Sequence, residues 1–212
     1  MKNSAMKVLF ASALLMLSSL VHAGGIDRLQ SFLNTTKSAS GSFEQSVEID
    51  AKSVPEQAGQ GTFAFLRPGC FRWHYQRPDE ALMISNGKKL WYYDTLLEQV
   101  TVKNLTQALP ATPASILFGE ENIQRDFTLK ELPRERGLEW VLATPKQTDS
   151  PFKSIAIGLN QKGPAVMVIE DQFHQKTRLT LSNMKINEPL KVRDFEFKVP
   201  ENVQVLNDPS AF

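Results

Sequence analysis

The sequence predicts a mainly β fold with a few helices, α+β in class, in which about ten antiparallel strands make one domain and curl into a barrel or strongly bent sheet. Three observations predict it. Short β-rich runs alternate with turn signals from Gly61 almost to the C-terminus, the spacing of an antiparallel meander. The 212 residues are 42% hydrophobic and 22% charged, a composition that suits one sizeable core. Cys70 is the single cysteine, so no intramolecular disulfide supports the sheet, and closure or bending has to protect its edges and create the core.

The elements follow in order. Lys2 and Lys7 precede the apolar run VLFASALLMLSSLV, and Val21-His22-Ala23 offers small residues for cleavage. Residues 1–23 therefore read as a secretory signal peptide, with a mature domain over 24–212. In IDRLQSFLNTTK, Ile26, Leu29, Phe32 and Leu33 share one face of an amphipathic helix. After SASGS the pattern turns to strands with Phe43, Val47 and Ile49, and AKSVPEQAGQG reads as a mobile hairpin loop. The runs TFAFL, FRWHY, ALMIS, KLWYYD and EQVTV form the meander, with Asn86-Gly87 as a tight hairpin signal. Residues 104–126 lose the period of two, and Thr112-Pro113 offers an N-cap followed by proline at the first helical position. Two short helices are predicted there. Strands resume with FTLKEL, LEWVLATP, SIAIGLN, AVMVIED and TRLTLSNMKI, and end in a short FEFKV. The concave side of such a sheet is where the helices would bury their apolar faces.

Charge and side-chain inventory exclude several functions. Without Lys2 and Lys7 the 24 basic and 23 acidic residues become 22 and 23, a net charge of −1, with no nucleic-acid or polybasic membrane-binding signal. Only His74 and His174 remain after the leader, neither in a nucleophile motif. Cys70 and His74, four residues apart on a strand, are separated by about 13 Å. No metal-ligand spacing, phosphate loop or dinucleotide fingerprint is present. Asp79 and Glu80 follow Pro78 as a turn sequence. The residues argue against an enzyme, and neither a metal nor a cofactor is implied.

One stretch does carry chemistry. By strand alternation Phe63, Phe65 and Arg67 face one way, and beyond Pro68-Gly69 so do Phe71, Trp73 and Tyr75. Aromatic faces of this kind ordinarily pack as core. A guanidinium on such a face must find acceptors or reach water, because it cannot discharge itself. Either its stem packs while its head is solvated, or its five donors hold the exposed carbonyls of a short helix over an apolar interior.

GSFEQ at 41–45, GQGTFAFLRPGCFRWHY at 59–75, PDEALMISNGKKLWYYDTLLEQVTV at 78–102 and TPASILFG at 112–119 together resemble the outer-membrane lipoprotein carrier family, LolA. The resemblance covers essentially the whole mature chain and weakens after residue 120. It implies a half-closed antiparallel β-barrel with short helices forming a lid over an apolar cavity, periplasmic, monomeric, without cofactor and without enzymatic activity. It further implies that triacylated lipoproteins are taken from an inner-membrane ABC transporter and passed to an outer-membrane acceptor lipoprotein. The family's lid-latching arginine falls on Arg67, within the pattern of Arg67, Pro68, Phe71 and Trp73. Phe71 and Trp73 match its cavity or mouth aromatics, which Phe63, Phe65 and Tyr75 extend on the same face. Leu117 matches an apolar lid position. Ala114 stands where a larger apolar side chain is expected, with Ile116 and Phe118 beside it to compensate. Two other readings stay open: another periplasmic lipid-binding or envelope-sensing module on the same fold, and an envelope hydrolase.

Overall fold

The computed structural model describes residues 24–48, 56–105, 113–118 and 123–207. A helix α1 (Gly25–Thr35) leads into strands β1 (Ser38–Glu48), β2 (Glu56–Leu66), β3 (Cys70–Arg77), β4 (Ala81–Asn86), β5 (Lys89–Asp94) and β6 (Gln99–Asn104). A short helix α2 (Pro113–Phe118) and a 3-10 turn Ile123–Arg125 separate these from β7 (Phe127–Glu135), β8 (Leu138–Pro145), β9 (Phe152–Asn160), β10 (Gly163–Asp171) and β11 (Lys176–Ile186). A second 3-10 turn, Val192–Phe195, precedes β12 (Gln204–Asn207).

All twelve strands belong to one sheet in the order β12-β6-β5-β4-β3-β2-β1-β11-β10-β9-β8-β7. The sheet does not close on itself, so β7 and β12 are its edges. Antiparallel register runs throughout except at β12, which lies parallel to β6 with Val205 opposite Val100. β1 joins the two halves, pairing with β2 (Phe43 opposite Gly61) and with β11 (Phe43 opposite Leu181). The architecture is the open half-barrel that the strand pattern calls for.

The core follows from alternation. Phe43, Phe63, Phe65, Phe71, Trp73, Ile155, Ile157, Leu159, Met167, Leu179 and Leu181 are buried on the inner face. α1 lies across β7 to β10 and buries Leu29, Phe32 and Leu33 against that face, the stripe its sequence predicts. On the other face a smaller cluster joins Ala64, Cys70 and Phe195, with Leu66 and Leu190 packed against it.

Four local expectations are corrected. FEFKV is not a strand: Val192–Phe195 forms the 3-10 turn, in which Lys191 N donates to the Asp194 carboxylate at 2.8 Å. Phe195 then packs under the sheet, and Phe197 lies 6.1 Å from both Trp91 and Tyr93. The twelfth strand comes later, at Gln204–Asn207. SASGS, after which the strand pattern is expected to begin, is itself part of β1: Ser38 Oγ donates to Glu188 O at 2.6 Å, and Ser40 Oγ donates to the Glu188 carboxylate. Residues 56–61 belong to β2 rather than to a loop; the remainder of that expected loop, residues 51–55, lies outside the described residues, as does Ile49. In the β4–β5 hairpin only Gly87 takes a positive φ, +88°. Asn86 contributes its side chain instead, accepting from Lys88 N and Lys89 N at 3.0 Å each. The expected signal peptide and Thr112 also fall outside the described residues.

Candidate functional site

The turn between β2 and β3, residues Arg67 to Gly69, is the polar centre of the site. β2 ends with Leu66, and Arg67 N donates to Lys37 O at 2.8 Å, which holds the turn against the chain leaving α1. From there the guanidinium reaches backbone carbonyls on two helices. Nη1 donates to Thr36 O at 2.7 Å, Leu33 O at 3.0 Å and Phe32 O at 3.4 Å, and Nη2 donates to Leu117 O at 2.8 Å. These carbonyls lie at the C-terminal ends of α1 and α2, which carry the negative end of the helix dipole; Phe32 O also accepts from the C-cap Thr36 N at 3.0 Å. The guanidinium also lies over the Phe32 and Phe65 rings, 5.1 and 5.0 Å from their centroids, a cation–π placement. Backbone dipoles thus offset part of the cost of burying this charge.

Gly69 adds a second tie to α2. Its N–H donates to Phe118 O at 3.2 Å, one residue beyond the carbonyl that Arg67 holds. Its φ of +74° is a left-handed conformation that glycine adopts without a Cβ penalty, and that conformation aims the amide at the helix end.

Below these polar ties the interior is apolar. Ile116, Leu117 and Phe118 of α2 are 1–2% exposed. The Phe118 ring stacks on Phe71 at 4.7 Å and 18°, lies 5.6 Å from Phe65, and sits 6.1 Å from Trp73. Trp73 in turn stacks on Phe43 at 4.0 Å and on Phe63 at 5.7 Å. Tyr75 is half-buried at the margin, edge-on to Phe43, and its hydroxyl donates to Gln45 Oε1 at 2.8 Å. Burial pushes the Tyr75 phenol above its ordinary pKa, so it stays a neutral donor.

The structure thus brings Phe63, Phe65, Phe71, Trp73, Tyr75, Ile116, Leu117 and Phe118 into one packed cluster beneath Arg67. Of the two readings of Arg67, solvated head or carbonyl clamp, the hydrogen bonds favour the clamp. Sequence reasoning looked for acceptors only on the second helical segment and missed the three carbonyls at the end of α1, since backbone oxygens have no residue signature. It also missed Phe43 and Phe32 as members of the aromatic cluster, although alternation and the helical stripe already marked both as core. The side chain of Ala114 lies outside the described residues.

Other candidate chemistry stays apart from this cluster. His74 points to the opposite face and its Nε2 lies 2.8 Å from Glu80 Oε1. Cys70 is 5% exposed in the outer cluster. Among the described residues no three histidine, cysteine or acidic side chains gather as metal ligands, and no helix is long and apolar enough to cross a membrane.

The family described as "Outer membrane lipoprotein carrier protein LolA" matches residues 34–198. A protein of Dechloromonas aromatica named outer-membrane lipoprotein carrier protein is 34% identical over 206 residues, 97% of this chain and 99% of its own length. Proteins of the same name from Bordetella pertussis and Methylococcus capsulatus are 39% identical over 93% of each chain and 38% identical over 85% and 86%, respectively. Among solved structures, an uncharacterized conserved protein of Thermus thermophilus superposes with a TM-score of 0.54 at 13% identity, covering 87% of this chain and 97% of its own; that likeness shows the shared fold alone.

Proposed function

Because the chain belongs to the LolA family of outer-membrane lipoprotein carriers, we propose that Arg67 latches the empty carrier shut and that the aromatic cluster beneath it opens to receive the acyl chains of triacylated lipoproteins. The protein is a carrier and has no catalytic step to perform. Its place of work in this reading is the periplasm, residues 1–23 being the export signal. Cargo arrives from an inner-membrane ABC transporter and leaves to an outer-membrane acceptor lipoprotein, the carrier acting as a monomer.

One observation carries the reading: a single guanidinium ties the ends of two helices over a cluster of aromatic and aliphatic side chains. Burying an acyl chain is worth about 0.8 kcal/mol per methylene, so three chains left in water cost tens of kcal/mol. A carrier that captured all of that free energy would never release its cargo. Here the empty state is itself well packed. Phe118 occupies space against Phe65, Phe71 and Trp73 that an acyl chain would have to take over. Loading exchanges one set of apolar contacts for another and also breaks charge-assisted hydrogen bonds, each worth about 1.5–3 kcal/mol. Both terms weaken net binding and leave the bound state able to unload.

The test is Arg67→Leu. The variant is expected to load lipoprotein at least as well as wild type, because its closed empty state has lost the described carbonyl bonds of Arg67. It is expected to deliver that lipoprotein to the acceptor about tenfold or more slowly, the loss of one or two such bonds. Transfer from purified loaded carrier to purified acceptor, followed with time, measures it; delivery at the wild-type rate would refute the latch.

A further inference from the structure

Among the described residues, the two helices that Arg67 ties together are held by different parts of the molecule, and the difference assigns them different jobs. We propose that α1 is a fixed wall of the carrier, pinned at its N-terminus by Glu131 and at its C-terminus by Asn187, and that α2 alone is the moving gate, with Arg67 remaining on α1 when the gate opens. This rests on the latch reading above and divides what it treats as one lid.

The N-terminus of α1 is seated on β7 and β8. Its capping position, Gly24, supplies no side-chain bond. The cap comes instead from more than a hundred residues away: the exposed Glu131 on β7 accepts from Gly25 N at 3.0 Å and from Ile26 N at 2.8 Å, one amide on each carboxylate oxygen. An anion there satisfies two of the orphan amides of the first turn and opposes the positive end of the helix dipole. The approach is close. A Cβ on Gly25 would meet Val141 Cγ2 at 2.7 Å and Trp140 O at 3.0 Å, so only glycine lets the helix sit this near β8.

At the other end Asn187, in the turn that follows β11, reaches both sides of the helix terminus. Its Nδ2 donates to Thr35 O at 3.1 Å, its Oδ1 accepts from Lys37 N at 2.9 Å, and its own N–H donates to Ser38 O at 2.6 Å. Between the two ends Leu29, Phe32 and Leu33 are 0–5% exposed against the sheet. Three of the four described Arg67 bonds to carbonyls also go to this helix terminus. None of the Glu131, Asn187 or sheet contacts of α1 involves α2.

α2 is shorter, with six residues, too few for a helix that stands alone. Among the described residues its polar ties are the two that the β2–β3 turn makes, Arg67 Nη2 to Leu117 O and Gly69 N to Phe118 O. Its apolar hold is the face of Ile116, Leu117 and Phe118, the surface for which an acyl chain is a direct substitute. Cargo therefore competes with α2 for its seat. It does not compete with Glu131 or Asn187, which lie at the ends of α1 and whose described bonds go to backbone.

Glu131 and Asn187 are positioning residues in this scheme, and the experiment asks which helix responds to cargo. Hydrogen exchange is measured by mass spectrometry on the full mature chain, empty and loaded with a purified triacylated lipoprotein. Peptides covering 113–118 are expected to exchange about tenfold or more faster when loaded, and those covering 25–35 to stay within about twofold. In the Glu131→Ala, Asn187→Ala double variant, loading is expected to deprotect 25–35 as well, a cargo-dependent response that simple loss of stability would not create. Glu131→Gln, which keeps an acceptor for one of the two amides, should restore most of the protection when Asn187 is intact. Deprotection of 25–35 together with 113–118 in loaded wild type would overturn the division while leaving the latch standing. No change in either segment, with lipoprotein bound, would overturn both.

Discussion

The thiol of Cys70 faces away from the carrier interior, into the cluster that Ala64 and Phe195 form on the outer side of the sheet, and burial pushes its pKa above the ordinary thiol value. A thiolate is the reacting form, so both access and ionisation are suppressed. Alkylation by iodoacetamide at pH 8 is expected to be about tenfold or more slower in the folded protein than in denaturant, read from the mass shift; equal rates would mean that the outer cluster opens freely. Residue by residue, strand parity was a sound guide to direction: it put Phe63, Phe65, Arg67, Phe71, Trp73 and Tyr75 on one face and His74 on the other, as the structure has them. Partners were less legible. Arg67 bonds to carbonyl oxygens and Glu131 to amide hydrogens. Such groups recur all along the backbone, so nothing in the letters marks the ones that meet a side chain 31 to 106 residues away.

At the level of elements, the β2–β3 turn works as one unit with α2, and Gly69 is its most constrained member. A side chain there would have to adopt φ +74°, and its Cβ would stand 2.8 Å from Leu105 Cδ2. Gly69→Ala is expected to destabilise the protein by about 1–3 kcal/mol and to free the Phe118 carbonyl. Urea denaturation measures the first effect and hydrogen exchange across 113–118 the second; an unchanged urea midpoint would show that the turn relaxes without cost. Most elements were readable because periods of two and of 3.6 are imposed by burial itself. The failure at FEFKV is instructive. Its period of two correctly turned Phe195 and Phe197 toward the sheet and left Glu196 and Lys198 exposed. It could not distinguish pairing in the sheet from lying across it, since both bury alternate residues.

For the whole molecule, the segment that follows β11 is what binds the open sheet on its outer side. Its Asn187 and Glu188 bond Ser38 and Ser40 of β1, after which it seats Phe195 below β2 and β3, lays Phe197 against Trp91 and Tyr93 of β5, and ends as β12 beside β6. Phe195 is 1% exposed, and Phe195→Ala is expected to cost about 3–5 kcal/mol in urea denaturation. A cost below about 1 kcal/mol would mean that the strap adds little to the sheet. An unclosed sheet also keeps two edges, each a template for pairing with another chain's strand. β12 offers only four residues, but β7 offers nine. That longer edge carries Lys130, Glu131, Pro133, Arg134 and Glu135, all exposed: a missing donor and a row of charges that a second sheet would have to desolvate. The charge that caps α1 is thus also part of a guard against edge-to-edge aggregation, which a half-barrel needs whenever it accumulates at high concentration.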